Sequence, residues 1–298
     1  MTPVALILLT TSILLSTGRN LLSKRLSGLS FGSRRFFLCQ GALFFSGGVA
    51  VLLFGRVTWQ LPSGLTCLLA LLYGALLIAA QWFYTAALSS GNVALCSTVY
   101  SMGFILPTLS GALLWNESFS PLDLCGVLCS VAAILCSGLV GRRRDTEKGY
   151  RYFLPLTVAM LASGGLGIVQ KTQQRSDVAG ERGAFLLIAF LIAAGASVLV
   201  ALLLGRRQGA SRDASSAALM RSMLGTAALV GAFFGCCNLL NTLLAGMLDS
   251  AIFFPTLNIG VILISTVTAI PIYRERLKKK DLCVLLLGIG AILLLNFG

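Results

Sequence analysis

Of 298 residues, 57% are hydrophobic and 11% are charged, against roughly 25% charged in a soluble domain. Lipid rather than water is therefore the main solvent of this chain. The net charge is +13 with no His, but the Lys and Arg sit in short breaks between apolar stretches, which excludes nucleic acid as a partner and points to orientation in a bilayer.

Apolar stretches of about twenty residues form transmembrane helices, because only helices or closed barrels satisfy the backbone in hydrocarbon. The alternation of a barrel strand is absent. The sequence predicts ten helices, over 3–25, 33–54, 63–88, 92–114, 121–140, 152–173, 182–204, 219–246, 251–272 and 281–297. The first has no basic residue ahead of its apolar run, so it is expected to stay in the protein rather than act as a secretory signal. It carries Arg19, the costliest side chain inside a span. Arg19 has two readings: an anion-binding group in a water-filled cavity, or a cation that snorkels to headgroups beside Lys24 and Arg25.

In the third span, Gln81, Trp82 and Tyr84 offer an amide and two aromatic faces to a ligand, or an interfacial belt. The fourth holds Tyr100 and Ser101 and, further on, Pro107. The sixth contains SGGLGIVQK (163–171), with glycines for close packing or a hinge and Lys171 at the outer headgroups. The eighth carries Asn238 and Asn241, three apart on one face, which either contact a ligand or join helices. Asn258 lies in the ninth. The nine Cys match no metal spacing or disulfide framework and read as buried, reduced hydrophobes. No cofactor is expected.

A polar signature recurs. WNESFSPLDLC (115–125) and YRERLKKKDLC (273–283) both place a Glu six residues before Asp-Leu-Cys, at an offset of 158 residues. Each copy marks a joint between predicted helices, the fourth with the fifth and the ninth with the tenth. The chain thus divides into two five-helix repeats, 1–141 and 152–298, joined by the basic linker 142–151. Because five is odd, the second repeat enters from the opposite face. The fold class expected is an all-α integral membrane protein of two inverted repeats, an arrangement of secondary transporters. The offset also pairs Tyr100 with Asn258.

Four stretches resemble the EamA-like drug/metabolite transporter superfamily: STGRNLLSK (16–24), SRRFFLCQGALFF (33–45), AALSSGNVALCSTVYSMGFILPTLSGALLWNESFS (86–120) and RERLKKKDLCVLLLGIGAILL (274–294). The resemblance covers nearly the whole chain. Two positions depart from it: Thr17-Gly18 stands where the family usually has Trp-Gly, and Ser265 where the repeat of Pro107 would fall. It implies a bundle with a central substrate cavity between the halves, lined by spans one, three, four, six, eight and nine. Spans five and ten would form a peripheral scaffold that offers a homodimer face.

Lys and Arg accumulate in cytoplasmic loops. Loops after odd-numbered spans carry 18 of them, loops after even-numbered spans carry four, and Arg19 is left inside span one. The expected place is the cell membrane, with the basic loops cytoplasmic and both termini outside. No acidic residue is expected at mid-membrane. The expected activity is movement of a small polar metabolite, neutral, zwitterionic or anionic, by alternating access as uniport, exchange or efflux, without a buried carboxylate proton site. The candidate ligand-contacting residues are Arg19, Gln81, Trp82, Tyr84, Tyr100, Ser101, Asn238, Asn241 and Asn258. The rival within the same fold is a lipid or lipid-linked sugar flippase. An intramembrane enzyme is the rival of another class, disfavoured because its acidic groups would fall on opposite faces.

Overall fold

A computed structural model describes residues 2–23, 26, 32–57, 61–90, 96, 99–118, 120–140, 153–207, 214–273 and 279–297. Among the described residues there are ten α-helices and no strand: α1 (Pro3–Ser23), α2 (Arg34–Phe54), α3 (Gly64–Ser90), α4 (Ile105–Trp115), α5 (Pro121–Val140), α6 (Phe153–Arg175), α7 (Arg182–Arg207), α8 (Ala214–Met247), α9 (Ser250–Tyr273) and α10 (Lys279–Phe297). Six of them, α1, α2, α3, α6, α7 and α8, are long and apolar enough to cross a membrane. Large apolar side chains such as Leu53, Phe54, Leu113 and Leu154 cover the outer surface. So large an apolar exterior suits a lipid surround.

The helix ends follow local chemistry. Ser33 caps α2 by accepting the Phe36 N–H at 3.1 Å. Ser120 and Asp123 close a reciprocal capping box at the start of α5: the Ser120 N–H donates to Asp123 Oδ2 at 2.9 Å and the Asp123 N–H to Ser120 Oγ at 3.0 Å. That is the work of the Asp in the first copy of the repeated signature. In the second copy, Glu275 lies outside the described residues.

The fourth span is less regular than expected. Its predicted start at 92 lies outside the described residues, and a 3-10 turn at Met102–Phe104 precedes α4. Pro107 supplies the reason. It has no N–H to donate to Gly103, so the turn before it tightens. Gly103 there lies against the Met160 carbonyl of α6, where a Cβ would come within 2.7 Å of the oxygen.

Partners are mostly drawn from across the chain. The helix α2 packs on α7 and α8, α3 on α6 and α7, α1 on α8 and α9, α4 on α6 and α9, and α5 on α10. Exchanging the first five helices with the last five turns this set of pairs into itself; the contacts of α6 with α8, of α9 with α10 and α5, and the smaller ones of α8 with α7 and α9 stand outside it. Where α2 crosses α8 the backbones touch. A Cβ on Gly231 or Gly235 of α8 would collide with the carbonyl oxygen of Leu43 or Gly47, and Ser46 Oγ donates to the Ala228 carbonyl at 2.7 Å. Small residues four apart permit that approach.

The helices alternate in direction. Ser63, before α3, donates through its N–H and its Oγ to Glu181, before α7, at 3.0 Å each. Glu117, after α4, accepts from the Ser250 N–H at the start of α9. Along α1 and α8, Ser12 pairs with Asn241, Ser16 with Cys237 and Arg19 with Phe234. One number rises as the other falls, so α1 is antiparallel to α8 and starts at the end where Asp249 lies. The joints α2–α3, α4–α5, α6–α7 and α8–α9 therefore gather at one end of the bundle.

Candidate functional site

Two polar groupings stand out where helices from the first five pack on helices from the last five. The deeper one is built from α3, α6 and α8. The Tyr73 hydroxyl donates to Asn238 Oδ1 at 2.5 Å, Gln170 Nε2 reaches the same oxygen at 3.4 Å and Thr242 Oγ1 at 3.1 Å, and Asn238 Nδ2 donates to the Phe234 carbonyl of its own helix at 2.8 Å. Tyr73, Gln170 and Thr242 are buried. Such groups persist in an apolar bundle only when their hydrogen bonds are met.

Toward the other end from Asp249, Arg19 is half-buried and holds its guanidinium carbon 4.8 Å from the centre of the Phe234 ring. Its Nε and Nη2 donate to Asn20 Oδ1 at 3.4 and 3.1 Å. Arg19 is close enough to Tyr73, Tyr84 and Cys237 to act on them electrostatically. Its head lies between its own helix and α8, bonded to Asn20 and resting over the Phe234 ring. Tyr84 packs on Tyr100, with ring centroids 4.4 Å apart, so Tyr100 joins this group from the segment ahead of α4.

The other expected residues lie apart. Trp82 packs edge-on against Phe37 of α2 at 4.8 Å, with its Nε1 buried and unpartnered among the described residues. Two residues along a helix is a turn of about 200°, so Trp82 and Tyr84 cannot share a face. Asn241 accepts from Ser12 of α1 at 2.5 Å while Asn238 serves α3 and α6. A spacing of three leaves about 60° between them, which suffices to give them different neighbours. Asn258 is half-buried and donates to the Phe254 carbonyl of its own helix at 2.9 Å. Gln81 and Ser101 are half-buried, Gln81 accepting at its carbonyl from Thr85 and Ser101 leading into the turn before α4.

The second grouping lies at the end where the four joints meet. Lys171 is wholly buried. Its Nζ lies 2.6 Å from Glu117 Oε1 and donates to the Leu248 carbonyl at 2.7 Å. Arg175 reaches the same carboxylate oxygen at 3.0 Å and Asp249 at 4.0 Å. The Ser250 N–H donates to Glu117 Oε2 at 2.7 Å. Burial acts to raise the Glu117 carboxyl, but the Lys171 ammonium and the Ser250 N–H outweigh it and hold the group below its ordinary value. These contacts correct the placement of Lys171 at the headgroups. Its partner is a carboxylate 54 residues earlier in the chain, a pairing that hydropathy does not encode.

Sequence reasoning also missed Tyr73 and Gln170. A polar group inside a span was the available signal, the same one that marked Asn238.

No family model matches the chain, and no curated protein matches it. Solved structures share its fold. One crystal structure of a protein with no stated activity superposes with a TM-score of 0.76 at 17% identity, over 99% of this chain and 99% of its own. A likeness at that identity speaks for architecture alone.

Proposed function

We propose that the chain is a ten-span membrane carrier of a small polar metabolite, working by alternating access between two inverted five-helix repeats. The observation that carries this reading is the unequal polarity of the line between the halves. At one end it is closed by Glu117, Lys171, Arg175 and Asp249. Beyond the buried Tyr73–Asn238–Gln170 network lie half-buried Arg19, over the Phe234 ring, and the packed pair of Tyr84 and Tyr100. The exchange-symmetric packing of the helices supports the repeat, as does the 158-residue offset of the acidic signatures.

In this reading the ion cluster is the closed gate of an occluded or inward-facing state. Opening that end separates α4 and α9 from α6 and breaks the Glu117–Lys171 contact. Glu117 is a buried carboxylate, but its partners keep it ionised at neutral pH, so it closes the gate rather than carrying a proton. The resemblance to EamA-like transporters fits the same reading. The charge bias of the loops supports an outward-facing position for the ion-bridged end in this reading.

The test is counterflow in proteoliposomes with metabolites that raise the melting point of the purified protein. Exchange of at least one such metabolite is the expected result. Stabilising ligands that never exchange across the bilayer would refute transport. A fluorescent protein fused after Gly298 checks orientation: dark cells are expected, and bright ones reverse the sidedness.

A further inference from the structure

We infer that Arg19 is the counter-ion for an oxyanion on the transported molecule, so that the cargo class is small carboxylates or phosphate monoesters rather than neutral solutes. This rests on the transport reading and narrows it.

The argument begins with charge. A guanidinium cannot lose its proton in a protein, so Arg19 stays cationic wherever it lies. Its level is fixed by the ladder between α1 and α8: it faces Phe234, about 20 Å from the Asp249 end at 1.5 Å per residue. The described acidic side chains, Glu117, Asp123, Asp177, Glu181 and Asp249, all belong to that distant end. Charges so far apart do little to neutralise one another across a Debye length of about 8 Å. Among the described residues, Arg19 has no carboxylate partner. Its acceptor is one neutral amide oxygen, that of Asn20, and the Phe234 ring lies beside it.

Geometry adds direction. Asn20 takes Nε and Nη2, and among the described residues Nη1 has no acceptor. A guanidinium fork with free N–H groups matches the paired oxygens of a carboxylate or phosphate. A cation meant only for headgroups has no need to lean on Phe234 or to come within electrostatic reach of Tyr73 and Tyr84 inside the bundle. The half-buried Tyr84–Tyr100 pair supplies an apolar wall beside the charge for the body of the molecule.

The experiment is thermal-shift titration of the full-length protein in detergent. The probes are small carboxylates, each paired with its own uncharged amide, together with matching phosphate monoesters. Melting points are read for the wild type, Arg19→Gln, Arg19→Lys and Arg221→Gln, the last exposed on α8. The acid is expected to bind about 10- to 100-fold more tightly than its amide, the range for a charged hydrogen-bonded pair. Arg19→Gln is expected to bring the acid down to the level of the amide, Arg19→Lys to keep part of the preference, and Arg221→Gln to keep all of it. Should Arg19→Gln fail to fold, Arg19→Lys, which keeps the charge without the fork, carries the test: the acid preference is expected to shrink without vanishing, and an undiminished preference overturns the inference. Equal binding of acid and amide in the wild type overturns the inference and leaves transport standing. So does a panel that fails to bind while other metabolites exchange in counterflow. Absence of any exchange overturns the transport reading itself. Finally, phosphatidylglycerol is added to the micelles. If that lipid alone produces the full shift and abolishes the response to acids, Arg19 serves a headgroup and the inference falls.

Discussion

Replacing Glu117 by Gln tests the ion cluster directly. The substitution keeps the size of the side chain and removes its charge. Lys171 is then left wholly buried with neutral oxygens as partners, the Leu248 carbonyl and the new amide, while Arg175, which is partly exposed, turns to water. Two unit charges 2.6 Å apart attract by about 6 kcal/mol at an effective dielectric constant near 20. Desolvation offsets much of that, and stranding one member of a buried pair costs about 3–5 kcal/mol. On the scale of 2–4 °C per kcal/mol, the melting point should fall by roughly 6–20 °C. The assay is differential scanning fluorimetry in detergent at one fixed scan rate, because membrane proteins unfold irreversibly. Lys171→Met alone should cost less, since Glu117 keeps Arg175 and the Ser250 N–H. The double variant should recover at least half of the Glu117→Gln loss, because neither buried charge is then unmatched. A fall under about 2 °C, or additive losses in the double variant, would refute the reasoning.

The same carboxyl predicts a pH dependence. Its folded value lies below the ordinary one, so its stabilisation is complete above the unfolded value of about 4.3 and is lost as pH falls through the lower folded value. Melting curves from neutral pH downward should therefore converge for wild type and Glu117→Gln below about pH 4, and parallel curves would contradict this. Asn238→Ala strands the Tyr73 hydroxyl and should cost about 1–3 kcal/mol, read as a lower melting point that Tyr73→Phe in the same chain partly restores. Gly231→Leu drives a side chain into the α2 backbone and should cost at least about 1–3 kcal/mol, seen as loss of the monodisperse peak on size exclusion; a normal peak would mean that α2 and α8 can separate cheaply.

Helix positions were legible because hydropathy is a local property. The span predicted over 182–204 is observed as Arg182–Arg207, and that over 251–272 as Ser250–Tyr273. The break before α4 was also legible in principle, since Pro107 removes the hydrogen bond that Gly103 would accept. The lateral partners were not. Lys171 and Glu117 each read as ordinary helix-end charges, and only packing makes them a pair. Asn238 and Asn241 read as one face, yet a 60° offset gives them to different helices. Trp82 and Tyr84 were grouped by proximity in sequence, which on a helix sets them on opposite sides.

The cross-chain packing bears on biogenesis. Every strong neighbour of α2 and α3 begins at or after Phe153. When α2 leaves the ribosome, the surface of α7 that will meet Gly41 and Gly48 has not been translated. The early segments must therefore wait in the bilayer as loosely held rods until the later ones arrive and slot between them. Truncation after Val140 should yield no compact half-protein, whereas the two pieces synthesised together have every contact they need.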